Sequence, residues 1–230
     1  MARIYLDHAA TTAVAPDVLS EMLPFFSQSY GNPSSLYREG REANAALRKA
    51  RGQVAAAIGA ADPSEIIFTG GGSEADNSAL FGAARQALRP QDGPKKNHII
   101  TTAIEHHALL QTCAALEEDG FEVTYLRPDK EGLIHPTQVE EAIRPDSFLI
   151  SVMAANNEIG SIQPIAQIGA IAQKNGLLFH VDGVQAAGAI PLDVQAIGVH
   201  MLSLSAHKFY GPKGVGALYL KKGSPFSPLI

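Results

Sequence analysis

The chain has 230 residues, 46% hydrophobic and 18% charged, with a formal net charge of −5, which is enough apolar material for a sizeable core. A weakly acidic balance without a basic block leaves no electrostatic footprint for nucleic acid or anionic lipid, and no apolar run reaches the roughly 18 residues of a membrane-spanning helix. The N-terminal MARIYLDHAATT lacks the apolar stretch of a secretory signal, and the single cysteine, Cys113, excludes an internal disulfide framework or a multi-cysteine metal site. A cytoplasmic protein with a small ligand is expected.

In chain order, GNPSS (Gly31–Ser35) reads as a turn and Arg41–Ile58 as a helix. There follow strand Glu65–Thr69, helix Ser73–Leu88, the polar connection Arg89–Lys96, strand His98–Ile104, helix His107–Glu118 and strand Phe121–Leu126. Then come helix Pro136–Ile143, strand Phe148–Ala154, helix Pro164–Lys174, and strands Leu177–Asp182, Met201–Ser205 and Gly216–Leu220. Short β-branched runs alternating with alanine-rich helical stretches predict an α/β fold: a mostly parallel, mixed seven-stranded sheet with helices on both faces. Its strands are expected to be apolar on both sides. Ligands of such sheets sit beyond the carboxyl ends of the strands, where this sequence places TGGGSEADN, EHH, ANNEIG, HVDGVQ and SAHKFYGPKG.

Gly70 to Asp76 join a strand to a helix, a setting in which glycines allow close approach and exposed helical amides attract phosphate. Ser73 is expected as N-cap, with Asp76 completing a capping-box-like pair. Gly70, Gly72 and Ala75 also satisfy a G-x-G-x-x-A dinucleotide fingerprint, but its acidic partner about 20 residues on is missing: Asp92 lies in the Arg89–Lys96 loop and Glu105 is too distant. Lys208 follows an apolar strand, where burial would make its amine nucleophilic toward a carbonyl, whereas Lys213 reads as solvated. Asp182 ends another apolar strand and needs a cationic partner or hydrogen bonds; capping the turn Val184–Ala187 is its plainer role. A phosphate cradle, a strand-end lysine and a strand-end aspartate together match pyridoxal 5′-phosphate, whose phosphate needs donors, whose aldehyde needs an amine and whose ring nitrogen needs an anion.

The segments YLDHAATT, GNPSS, EIIFTGGGSEADN, EHHA, GFEVTYL, NNEIGSIQPI, HVDGVQA and SAHKFYGPKGVGALYL together resemble the cysteine desulfurases of the class V branch of fold-type I pyridoxal-phosphate enzymes. The resemblance implies that residues 1–15 form a segment near the substrate entrance and 16–230 the cofactor-binding large domain, incomplete relative to the family and lacking its C-terminal small domain. It makes Lys208 the lysine that takes the cofactor aldehyde and Asp182 the partner of the ring nitrogen. It makes His106 the residue stacking on the ring and assisting proton transfer, and gives Asn156 and Gln185 to the ring hydroxyl. Gly72, Ser73, Ser205 and His207 would hold the phosphate, with Asn32 and His8–Thr12 near the substrate. Gly183 and Val184 depart from the family's usual residues before the Gln of this motif.

The implied reaction removes sulfur from L-cysteine to give L-alanine and an enzyme persulfide for iron–sulfur cluster assembly or another sulfur-transfer route. A homodimer, a sulfur acceptor or scaffold protein, and no metal are implied as well. Cys113 falls on the apolar face of Leu109, Leu110 and Leu116 and reads as core, so this chain lacks the persulfide cysteine, and alone it is expected to turn over little. Alternatives are a selenocysteine lyase or other class V enzyme, and a pyridoxal-phosphate-binding protein without turnover.

Overall fold

The computed structural model describes residues 4–89 and 96–229, so most of the Arg89–Lys96 connection, with Asp92, lies outside the described residues, as does Ile230. The seven apolar runs form β1 (Ile66–Thr69), β2 (His98–Thr102), β3 (Glu122–Leu126), β4 (Ser147–Met153), β5 (Leu178–Asp182), β6 (Met201–Ser205) and β7 (Gly216–Leu220) in one sheet. Their order is β1-β7-β6-β5-β4-β2-β3. All pairings are parallel except those of β7, which runs antiparallel to both β1 and β6.

Helices α1 (Pro16–Met22) and α2 (Pro24–Ser27) precede the long α3 (Arg38–Ala57). They are followed by α4 (Gly72–Ala87), α5 (His107–Glu118), α6 (Pro136–Glu141), α7 (Ile165–Lys174) and α8 (Val194–Ile197). Two cores result, one on each sheet face. Ala75, Ala79, Leu80 and Ala83 of α4 and Leu109, Cys113 and Leu116 of α5 close one face over Ile99, Leu149 and Met201. Ile165, Ile168 and Ala172 of α7 close the other over Ile100, Ile150, Phe179 and Leu202. Gly169 of α7 permits this approach, because a Cβ there would stand 2.0 Å from the Ile197 carbonyl oxygen.

The central strands are buried on both sides, as parallel strands under helices should be, but they are not wholly apolar. His98 shares hydrogen bonds with the hydroxyls of Ser147 (2.6 Å) and Thr124 (2.8 Å), and His180 with those of Ser151 (2.8 Å) and Ser203 (2.9 Å). Complete pairing is what makes buried imidazoles tolerable. Burial pushes the His180 pKa down to about 3, which leaves the ring neutral.

Candidate active site at the carboxyl end of the sheet

A cavity of about 690 Å³ opens where the strand-end motifs converge, lined by the β1–α4 turn, by His106, by Met153, by Asp182, Val184 and Gln185 and by Ser205, His207 and Lys208. That volume suits a cofactor-sized ligand. On one side α4 starts at Gly72 with Gly71 as its N-cap, and Ala75 is the first residue to donate back into the helix, to the Gly71 carbonyl at 3.1 Å. The amides of Gly72, Ser73 and Glu74 therefore face outward as donors at the positive end of a 16-residue helix. The expected Ser73–Asp76 capping pair is not formed. The cap falls at Gly71, two residues earlier than the serine rule predicts, and Glu74 reaches back to accept from the Gly70 amide at 2.7 Å. Gly72 is required by space: a Cβ would come within 2.7 Å of Val184 Cγ2 and 3.3 Å of Ser205 Cβ.

Lys208 ends the short 3-10 turn Ala206–Lys208 that follows β6. It is half-buried, and desolvation lowers its pKa against the opposing pull of Asp7, Asp182 and Glu158. Its Nζ donates to the carbonyls of Ala9 (2.5 Å) and Ala10 (3.0 Å). The same Ala9 oxygen accepts from Gln185 Nε2 at 2.9 Å, while Thr11 Oγ1 shares a hydrogen bond with His207 Nδ1 at 3.0 Å. Thr12 completes the strap: its amide donates to the His207 carbonyl at 2.8 Å and its Oγ1 accepts from the Tyr210 amide at 2.7 Å. Tyr210 takes the left-handed φ of 66° at that bend, a conformation other residues rarely hold without such ties.

Asp182 is 5% exposed, and its Oδ1 accepts from the Val184 amide at 2.9 Å, so the modest capping role is present too. Burial raises its pKa, while the Val184 amide and the charge of Lys208 favour the anion. His106 caps α5, its Nδ1 accepting from the Ala108 amide at 3.1 Å. The neutral tautomer that fits this bond carries its proton on Nε2. Glu105 beside it is buried, accepts from Thr102 Oγ1 (2.6 Å) and the Met153 amide (3.0 Å), and is pushed up to about 8 by desolvation.

Gly72, Ser73, His106, Asp182, Gln185, Ser205, His207 and Lys208 thus all line one cavity. Two expected residues do not. Asn156 is spent on structure: its Nδ2 donates to the Ile104 carbonyl at 2.9 Å, and its Oδ1 accepts from the Glu158 and Ile159 amides at 2.9 and 3.0 Å. The neighbouring Asn157 stands in the cavity wall instead. Asn32 is exposed, and its side chain accepts from the Ser34 amide at 2.9 Å within its own turn, outside the cavity lining. Asp76, Glu74 and Asp7 line the cavity without having been singled out as ligand contacts. Asp76 was recoverable, because it shares a helical face with Ala79, Leu80 and Ala83.

Cys113 is fully buried and its thiol is raised to about 12 by desolvation, in agreement with a core role. Among the described residues no cluster of His, Cys, Asp and Glu has the form of a metal site, and no helix is long and apolar enough to cross a membrane.

The profile of the family "Aminotransferase class-V" matches residues 4–229. "Cysteine desulfurase IscS" of Methanosarcina thermophila is 51% identical over 227 residues, covering 99% of this chain and 55% of the relative. "Putative cysteine desulfurase IscS 1" of Bacillus subtilis is 51% identical over 230 residues, covering 100% and 59%. Among solved structures, "SspA in complex with cysteine" superposes with a TM-score of 0.94 at 46% identity, covering 99% of this chain and 65% of the other. A "NIFS-LIKE PROTEIN" gives 0.94 at 43% identity, covering 100% and 62%. The chain therefore spans little more than half the length of the curated relatives it matches.

Proposed function

The chain belongs to the class V aminotransferase family, and on that premise we propose that it is the cofactor-binding portion of a cysteine desulfurase, an enzyme that takes sulfur from L-cysteine and leaves L-alanine. The family works with pyridoxal 5′-phosphate, and the residues present fit that group. The observation that carries the reading is the convergence of Lys208, Asp182 and the amide end of α4 on one cavity, because the cofactor needs an amine, an anion and a phosphate cradle at once. The space that a Cβ at Gly72 would fill lies beside the cradle.

Gly72, Ser73, Ser205 and His207 would hold the phosphate, Lys208 the aldehyde, Asp182 the ring nitrogen, His106 the ring face, and Gln185 with Asn157 the ring hydroxyl. When bound, pyridoxal phosphate supplies an electron-withdrawing ring that stabilises negative charge next to the substrate α-carbon. The remaining work falls to the protein. Asp182 keeps a negative charge at the cavity floor and so holds a proton on whatever nitrogen faces it. Lys208, its basicity lowered by desolvation, would serve as nucleophile and proton carrier. His106 offers Nε2–H at the cavity rim while Nδ1 is fixed by the Ala108 amide, so its ring is oriented before a ligand arrives.

The buried Cys113 does not take part in sulfur transfer; another thiol accepts the sulfur, and a sulfur acceptor or scaffold protein of iron–sulfur cluster assembly removes it. A homodimer in the cytoplasm is part of the same proposal. The exposure of Phe26, Tyr30, Leu36 and Tyr37 within one N-terminal stretch supports it, since large apolar side chains left in water gain from association. Incubating purified chain with pyridoxal phosphate, then assaying alanine from cysteine with an added thiol acceptor, tests the reading. Cofactor uptake with cysteine-dependent alanine upholds it, and failure to take up the cofactor overturns it.

A further inference from the structure

Asp76 is a buried acid without an evident structural use. It belongs to the α4 stripe that packs on the sheet, is 2% exposed, and its Oδ1 has no hydrogen-bond partner. It also borders the same cavity as Asp182. A bare buried carboxylate is among the costliest groups a fold can contain, unless a cation or a proton neutralises it.

Among the described residues, the elements around Asp76 supply no cation. From β5 come Asp182 and His180, whose Nε2 stands 3.7 Å from Asp76 Oδ1. That imidazole is fully buried and shares both nitrogens with the Ser151 and Ser203 hydroxyls. From β6 comes the Ser203 hydroxyl, and from α5 the neutral Cys113 thiol. Strand β1 has no ionisable residue, and Tyr219 of β7 packs in the opposite core. Beyond β2 lies Glu105, another acid, and on α4 itself Glu74 is turned toward the Gly70 amide. Lys208 lies across the cavity, where its charge acts on Asp182, and His106, whose Nδ1 accepts from the Ala108 amide, lines the same cavity.

Two neighbouring buried carboxyls resist ionising together. The asymmetry between them is visible: Asp182 accepts from the Val184 amide at 2.9 Å and senses Lys208, whereas Asp76 Oδ1 is bare. We propose that Asp76 is a positioning residue that carries a proton as a neutral acid, leaving Asp182 the ionised carboxyl of the pair that faces the ring nitrogen of pyridoxal phosphate. This deepens, and rests on, the cofactor reading above. Burial and the neighbouring Asp182 charge both raise the Asp76 pKa, with only the Ser203 hydroxyl opposing.

Infrared spectra of the full chain without cofactor test the charge state. Glu105→Gln removes one of the two other buried acids, and Glu65, the second, is present in every variant, so a protonated-carboxyl stretching band at pH 7 that is lost only with Asp76 belongs to that residue. We expect it to remain, to persist in Glu105→Gln/Asp182→Asn and to vanish in Glu105→Gln/Asp76→Asn. Titration with pyridoxal phosphate gives a second readout. An amide replacing a neutral acid should change affinity less than about threefold in Asp76→Asn, whereas Asp182→Asn should lose at least about tenfold.

Absence of the band in Glu105→Gln overturns the proposal even if no Asp76 variant folds. So does an affinity loss in Asp76→Asn equal to that in Asp182→Asn. A wild-type chain that takes up no cofactor overturns the functional reading instead, and the infrared arm still decides the protonation of Asp76.

Discussion

Lys208 donates its amine to the Ala9 carbonyl oxygen at 2.5 Å, so the N-terminal strap holds the lysine that the proposed cofactor needs. A carbonyl acceptor favours the charged ammonium, whereas condensation with an aldehyde needs the neutral amine. Deleting residues 1–10 releases the bonds to Ala9 and Ala10 and frees Gln185. We expect cofactor capture, followed by stopped-flow absorbance, to become about tenfold faster, the equivalent of one hydrogen bond to a charged group. An unchanged or slower rate would show that the strap does not restrain Lys208.

Glu105 gives the fold a pH dependence with a definite sign. Its pKa is raised from 4.5 to about 8 in the folded chain, so the folded state holds a proton that the unfolded state releases. The associated stability is complete below pH 4.5 and is lost as pH rises to about 8, a change on the order of several kcal/mol. Glu105→Gln keeps the oxygen that accepts from Thr102 and Met153, and should flatten that decline in urea titrations between pH 5 and pH 9. A decline as steep as in the wild type would assign it to other groups.

Gly72→Ala tests the cradle. The added methyl has Val184 Cγ2 at 2.7 Å and Ser205 Cβ at 3.3 Å, so overpacking should cost roughly 1–3 kcal/mol. Phosphate-bearing ligands should weaken more than pyridoxal itself. Equal weakening of both would mean that the phosphate binds elsewhere.

Cys113 should resist modification. Buried within the α5 core, with a pKa near 12, it presents almost no thiolate. Iodoacetamide should label it only in denaturant, at a rate that follows unfolding. Complete labelling of the folded chain within minutes would restore it as a candidate nucleophile.

All seven strands were legible within two residues at each end, because Val, Ile and Leu runs buried on both faces have no other comfortable environment. The long helices were legible for the related reason that their apolar stripes must cover that sheet. Helices α1, α2 and α8 escaped, being short and lacking such a stripe, although Pro16 and Pro24 at first-turn positions and the Asp193 cap, which accepts from the Gln195 and Ala196 amides at 2.9 and 3.0 Å, were signals for them. Lys208 and Asp182 were readable because a charged residue ending an apolar strand demands a reason. Asn156 stands outside the cavity lining and Asn157 within it, a difference the sequence hides because two adjacent asparagines are chemically identical and only the turn after β4 decides which one faces the cavity. Asp76 was underestimated because a polar residue near a helix start suggests a cap, while the i, i+3, i+4 spacing that buries it is a property of the whole helix.

The central claim is that the Lys208 amine takes the aldehyde of pyridoxal phosphate. The most direct measurement is borohydride trapping of the cofactor on the full chain, followed by peptide mass spectrometry, with Lys208→Ala in parallel. The account predicts a yellow protein, the reduced cofactor mass on the peptide containing Lys208, and neither the colour nor the adduct in a folded Lys208→Ala chain. A trapped adduct on Lys213 or another lysine, or a folded wild-type chain that stays colourless with saturating cofactor, would contradict it.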